Sequence, residues 1–197
     1  MGRRGREGLN FGRQKRKINV TAVREVFSWM IEILLAIVLA FTFVYFLGLR
    51  TSVVGQSMSP TLVSGDEILV NRFVYKVTDP KRGDIIVFLP NGNEKSHYYV
   101  KRVIGVPGDT VLIQNGAVYI NGEVYKEEIE AAAIEEAGLA SEEITLDSDE
   151  YFVLGDNRNN SSDSRDPSVG IIQKKDIIGR AWLQIYPFDE FGFIRHQ

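Results

Sequence analysis

VFSWMIEILLAIVLAFTFVYFLGL, residues 26–49, is an apolar run of 24 residues with a single charge, Glu32, near its start. As an α-helix it reaches ~36 Å at about 1.5 Å per residue, and its uncharged part, 33–49, reaches ~26 Å, against a hydrocarbon core of about 30 Å. This predicts one membrane-spanning helix. Glu32 lies close enough to the basic end for its carboxylate to sit at the interface, so it reads as a boundary residue rather than an intramembrane functional group. A removable secretory signal also begins basic and continues apolar, but its apolar core usually runs only about 7 to 15 residues and a small-x-small cut follows it. LGLRTSVVGQS offers no such cut. The run therefore reads as an uncleaved anchor, and no second run of comparable length follows.

The charge distribution sets the orientation. The net charge of −3 divides unevenly: residues 1–49 hold eight Lys/Arg (Arg3, Arg4, Arg6, Arg13, Lys15, Arg16, Lys17, Arg24) against three acids, which leaves 50–197 at net −8. A basic arm can bind nucleic acid, but one placed directly before a long apolar run reads as the cytoplasmic flank of a membrane helix. The expected organisation is a basic cytoplasmic tail at 1–25, a membrane anchor at 26–49 and an extracytoplasmic domain at 50–197. No nucleic-acid partner is expected.

Beyond Arg50 the pattern changes to short runs rich in Val, Ile, Tyr and Phe, punctuated by Gly, Pro, Asn and Asp. That is how strands and turns read. Strands are predicted over 68–77, 84–89, 98–106, 110–114, 117–120, 123–125, 151–154 and 177–186, giving a mainly β domain. Asn115-Gly116 and Asn121-Gly122 supply the positive φ angles of tight hairpins, so 110–125 reads as a three-stranded meander. Between Glu127 and Glu143 lie seven glutamates and the stretch AAAIEEAGLA. Its helix propensity and charge predict a short helical or flexible insertion, about 127–150, solvated on the surface.

With no cysteine and only His97 and His196, thiol catalysis and disulfides are excluded and the common zinc sites lack ligands. Three polar segments remain. GQSMSPTL (55–62) carries Ser57, and Ser59 before Pro60 resembles a helix N-cap, which would leave backbone N–H groups near Ser57 free to hold an oxyanion. In YYVKRVIGVPGD (98–109) Lys101 and Arg102 interrupt an apolar strand and point to opposite faces, Lys101 with Tyr99 and Val103, Arg102 with Val100 and Ile104. An apolar wall disfavours an ammonium and turns a lysine into a usable base, whereas arginine stays charged; the alternative is that both stems snorkel to water. The third segment is GDNRNNSSDSR (155–165). A calcium loop starting at Asp156 would place Ser161 where glycine belongs and Pro167 where glutamate belongs, which argues against metal binding.

At these segments, and at GDIIVF (83–88), the sequence closely resembles bacterial type I signal peptidases of the single-anchor, Gram-positive-like form. The resemblance covers the anchor and nearly all of 50–190, through four ordered motifs. It implies an all-β signal-peptidase-like catalytic domain and a membrane-bound serine endopeptidase without a cofactor or metal. It further implies Ser57 as nucleophile, Lys101 as general base, Ser161 as the hydroxyl that orients the lysine, and Asp163 with Arg165 as a supporting ion pair. Some members of that family carry a serine two residues before the nucleophile to help hold the oxyanion. This chain has Gly55 there, which leaves the oxyanion to backbone amides, chiefly that of Ser57.

The substrates so implied are signal peptides of exported preproteins, cut after small-x-small sites. The lipid bilayer and a nearby translocon are the other expected neighbours, since Ser57 lies eight residues beyond Leu49. Two rival readings fit less of the sequence. A self-cleaving, repressor-type Ser-Lys protease carries a DNA-binding domain where this chain has its anchor, and a single-pass β domain with only a binding role leaves Ser57, Lys101 and Ser161 unexplained. A Ser-His-Asp arrangement through His97 is disfavoured by its loop-like context, NGNEKSH.

Overall fold

The structure, a computed structural model, describes residues 20–93, 96–127, 129 and 131–196. It divides into two compact units, residues 1–43 and 44–197. Most of the basic tail placed at 1–25 lies outside the described residues. Helix α1, Val20–Leu47, contains one 22-residue stretch, Thr21–Thr42, long and apolar enough to cross a membrane. Its described large apolar side chains are left uncovered by the rest of the protein, and a helix apolar all round needs an apolar surrounding such as a bilayer.

Strand β1, Gly48–Ser52, begins directly after the helix, two residues before the boundary expected from the sequence. It pairs antiparallel with β2, Glu67–Asn71, in a register that sets Leu49 opposite Val70. The expected strand 68–77 stops at Asn71, whose Oδ1 accepts the N–H groups of Phe73 and Val74 and bends the chain into a single helical turn, α2, Val74–Val77. Strands β3 (Ile85–Phe88) and β4 (Tyr99–Gly105) follow. After the meander β5 (Thr110–Gln114), β6 (Ala117–Ile120) and β7 (Glu123–Val124) come β8 (Ile144–Thr145), β9 (Glu150–Leu154), β10 (Ile172–Gln173), β11 (Ile177–Tyr186) and β12 (Gly192–Phe193).

These strands form two antiparallel sheets. The larger runs β1-β2-β11-β3-β4-β9-β10 with β12 on β11, and the smaller runs β7-β6-β5-β8. The hairpins of the smaller sheet turn at the Asn-Gly pairs: Asn115 and Gly116 have φ of 52° and 77°, Asn121 and Gly122 have 53° and 79°. In the larger sheet every residue of β3 is buried. Ile85 and Val87 join one apolar cluster with Met58 and Leu62, while Ile86 and Phe88 join another with Val103 and Val153, so the continuous apolar run IIVF reflects a strand covered on both faces. β4 is held on one side by β3, with Ile86 opposite Lys101, and on the other by β9, with Leu154 opposite Arg102.

The segment after Glu127 differs from the expectation of a solvated insertion. No α-helix forms in its described residues, and the only helical piece is a 3-10 turn, Gly138–Ser141. Ile134 and Ala140 are buried in a cluster with Ile104, Phe152 and Leu154, and this packing overrides the helix propensity of AAAIEEAGLA.

Candidate active site

Position 101 is fixed by its neighbours before its chemistry enters. β4 is an interior strand, so the Lys101 backbone cannot shift without disturbing β3 and β9 together. Both cations of this strand are buried, Lys101 at 4% and Arg102 at 1% exposure, so neither stem reaches water. They are treated differently. Arg102 is neutralised by Asp156: Nε donates to Oδ1 at 2.8 Å and Nη2 to Oδ2 at 2.7 Å, while Nη1 donates to the Gly83 carbonyl at 3.0 Å. Lys101 has no carboxylate in contact among the described residues. Its Nζ lies 2.6 Å from Ser57 Oγ and 5.6 Å from the centre of the Tyr99 ring. Burial pushes the amine down to about 8; Asp163 raises it, Arg165 lowers it and Asp156 raises it by smaller amounts.

Ser57 sits in a run of turns rather than at a helix start. Ser59 caps no helix: its N–H donates to the Gln56 carbonyl at 3.2 Å, and the Ser59–Pro60 peptide is cis. Even so, no acceptor for the Ser57 N–H occurs among the described residues. Gly55 has φ of 87°, a conformation that an L side chain adopts only with strain, which accounts for glycine at this place in the chain. The nucleophile loop is clamped from the 155–165 segment. Asn157 N–H donates to the Ser57 carbonyl at 3.0 Å, Asn157 Nδ2 to the Gln56 carbonyl at 3.1 Å, and Thr61 Oγ1 to Asp156 Oδ2 at 2.6 Å.

Asp163 and Arg165 form an ion pair, Nε to Oδ1 at 2.8 Å and Nη2 to Oδ2 at 2.9 Å, and Asp163 Oδ2 also accepts the Gly155 N–H at 3.0 Å. Ser161 stands apart from this network. Its Oγ is buried without any hydrogen-bond partner among the described residues, so no bond to Lys101 is formed in this arrangement. A Cβ built at Gly155 would collide with both Ser161 Oγ and the Ser57 carbonyl, so glycine allows these two segments to meet. Ser57, Lys101 and Ser161 line one open cavity of about 510 Å3, bounded by 53–57, 97–101 and 159–162. His97 is on its rim, but the amine, not the imidazole, faces Ser57. His196 lies elsewhere, its Nδ1 accepting the Ile85 N–H at 3.0 Å.

Sequence reasoning missed Asp156, Thr61 and Asn157 as parts of this site. One signal was available: two adjacent cations in an apolar strand need a buried anion, and 155–165 is the polar loop that follows the neighbouring strand.

A serine hydroxyl against a buried amine whose proton is held less tightly, with an N–H unpaired among the described residues beside it and an open cavity in front, is an arrangement able to support nucleophilic serine chemistry. The model of the family described as signal peptidase, peptidase S26, matches residues 26–186, and the chain belongs to that family. Signal peptidase I P of Bacillus subtilis subsp. natto is 40% identical over 193 residues, covering 94% of this chain and 98% of that protein. Signal peptidase I of Bacillus amyloliquefaciens is 41% identical over 172 residues, covering 84% and 90%. Signal peptidase I S of Bacillus subtilis strain 168 is 37% identical over 180 residues, covering 87% and 95%.

Proposed function

We propose that this signal peptidase cuts preproteins with Ser57 as nucleophile and Lys101 as general base. The observation that carries the assignment is the 2.6 Å approach of Lys101 Nζ to Ser57 Oγ, with no carboxylate among the described residues pairing the amine. Neutral Lys101 accepts the Ser57 hydroxyl proton as Oγ attacks the scissile carbonyl, and the developing oxyanion takes the Ser57 N–H. The ammonium then returns that proton to the leaving amine. The C–N bond breaks, an acyl-enzyme remains, and a water activated by the same amine hydrolyses it. Ser161 orients the amine by accepting from it, with the Asp163–Arg165 pair fixing the loop that carries Ser161.

The substrate is the end of a signal peptide with small side chains at the first and third positions before the cut. The N-terminus lies in the cytoplasm, residues 26–49 anchor the chain in the bilayer, and the domain from about residue 50 works on the far side, close to where translocated chains emerge from the translocon. The basic flank at 1–25 supports this orientation. In vitro cleavage of a preprotein in detergent by wild type and Ser57→Ala, with the cut mapped by mass spectrometry, tests the reading. Cleavage at a small-x-small site by wild type alone is the expected result, and an active Ser57→Ala enzyme would refute it.

A further inference from the structure

The loop 155–165 carries Ser161, Asp163 and Arg165 yet has no regular secondary structure to fix it. Its ties run to the segment after Glu127. Arg158 and Glu127 form a two-pronged ion pair, Nη1 to Oε1 at 2.6 Å and Nη2 to Oε2, with side chains 2% and 10% exposed. Next along, Asn159 Nδ2 donates to the Ala133 carbonyl at 3.0 Å and Asn159 Oδ1 accepts the Glu135 N–H at 3.1 Å. Beyond Ser161, Arg165 Nη1 donates to the Glu136 carbonyl at 3.2 Å and the Arg165 carbonyl accepts the Leu139 N–H at 2.9 Å. Gly138, with φ of 55°, lies so close to the Arg165 carbonyl that a Cβ there would overlap it. The ties therefore fall on both sides of Ser161.

They also close into a ring. Arg165 Nη2 donates to the Arg158 carbonyl at 2.5 Å, Arg158 Nε to the Gly155 carbonyl at 3.1 Å, and the Gly155 N–H to Asp163, which pairs with Arg165. Gly155 is also where an added Cβ would collide with Ser161 Oγ and the Ser57 carbonyl. We propose that Glu127 and residues 131–143 are a positioning strap for the 155–165 loop, with Glu127 its main tie, acting through Arg158 and Arg165 on the placement of Ser161 and Lys101. This rests on Ser57 and Lys101 being the nucleophile and base. No hydrogen bond or ion pair joins the strap's described residues to Ser57 or Lys101, so Glu127 is a positioning residue and not a catalytic one.

The test separates placement from mere stability. The groups that act on the Lys101 amine are Ser57, the Tyr99 ring, Asp163, Arg165 and Asp156, and the strap holds Arg165 directly. Full-length Glu127→Gln, Gly138→Ala and Glu142→Gln are compared with wild type in detergent for preprotein cleavage across pH, with rates referred to folded protein and Tm measured alongside. Glu142 is an exposed residue of the same segment and serves as control.

In Glu127→Gln and Gly138→Ala, kcat falls roughly tenfold to a hundredfold, as expected for reacting groups displaced by about 1 Å. KM stays within about twofold, because the interaction lost acts in the transition state. The pH midpoint of kcat/KM also moves in Gly138→Ala, although that substitution changes no charge. Glu142→Gln behaves as wild type. Wild-type kcat and midpoint in both strap variants, whatever their Tm, overturn the proposal, and so does a loss confined to KM. If Glu127→Gln does not fold, Gly138→Ala decides alone. An active Ser57→Ala enzyme in the same assay marks failure of the underlying dyad instead.

Discussion

Lys101 Nζ and Ser57 Oγ are 2.6 Å apart across 44 residues of sequence, and Lys101, only 4% exposed, pairs with no carboxylate among the described residues. The neighbouring cation, Arg102, has its charge cancelled by Asp156. One strand thus carries a lysine poised to lose its proton beside an arginine that cannot. Ser57→Ala and Lys101→Ala are each expected to reduce preprotein processing to background while the chain still inserts into membranes. The double variant should be no worse than either single one, because the pair acts as a unit. Cleavage assays with membrane extraction as the insertion check decide this, and appreciable activity in either single variant would contradict the dyad.

Ser161 separates function from stability. Its hydroxyl is buried without a partner among the described residues, and leaving such a group unsatisfied costs about 1–3 kcal/mol. Ser161→Ala should therefore fold at least as stably as wild type, with equal or higher Tm, while kcat falls more than KM changes, since the hydroxyl is needed when Lys101 becomes an ammonium. Thermal unfolding and steady-state kinetics on the same preparation test both halves. A lowered Tm with unchanged kcat would make Ser161 a packing residue.

Arg102 and Asp156 are expected to show the opposite pattern. Their pair is 1% exposed on both sides, and removing one partner of such a buried pair costs about 3–5 kcal/mol. Arg102→Ala leaves the Asp156 charge uncompensated, although Asp156 still accepts from Thr61. Folding yield and urea midpoint should drop sharply, while kcat per folded molecule stays far above that of Lys101→Ala. Equal catalytic loss in the two variants would assign Arg102 a direct part in the chemistry.

What was legible in the sequence is what depends on neighbours along the chain. Asn115-Gly116 and Asn121-Gly122 turn the meander where local φ preferences require it, and the alternation around Lys101 and Arg102 places the two cations on opposite faces. Strand β1 was hidden because Gly48 and Leu49 close the apolar run and Arg50-Thr51-Ser52 carries no alternating pattern, so only pairing with β2 makes it a strand. The chain from Ala131 to Ala140 was misjudged because its propensity is helical while Ile134 and Ala140 are claimed by the core. Within the site, the motifs locate Ser57, Lys101 and Ser161. The Glu127–Arg158 and Arg102–Asp156 pairs join residues 31 and 54 positions apart, a pairing that no local pattern encodes.

The cost of keeping Lys101 unprotonated gives a prediction about stability with a definite sign. Burial lowers its folded pKa to about 8, against 10.5 for the ordinary group. Between those values the unfolded chain binds a proton that the folded one does not, so stability rises with pH through this window. The penalty is fully present below about 8, where folding must bury an ammonium, and it vanishes above about 10.5. At about 1.4 kcal/mol per pKa unit it is on the order of 3 kcal/mol near neutral pH. Lys101→Met keeps the apolar stem and removes the charge, so the inactive enzyme should be more stable than wild type by about this order at pH 7. Its advantage should decline from about pH 8 and be lost near 10.5. Wild-type kcat/KM should rise with pH through the folded value of about 8 and level off above it, as the amine deprotonates. Urea unfolding of both full-length forms in detergent across pH 6 to 11, followed by tryptophan fluorescence, reads the difference directly at ~1 kcal/mol resolution. An advantage independent of pH would show that Lys101→Met merely improves packing, and no advantage at pH 7 would mean that the folded lysine bears its proton without penalty.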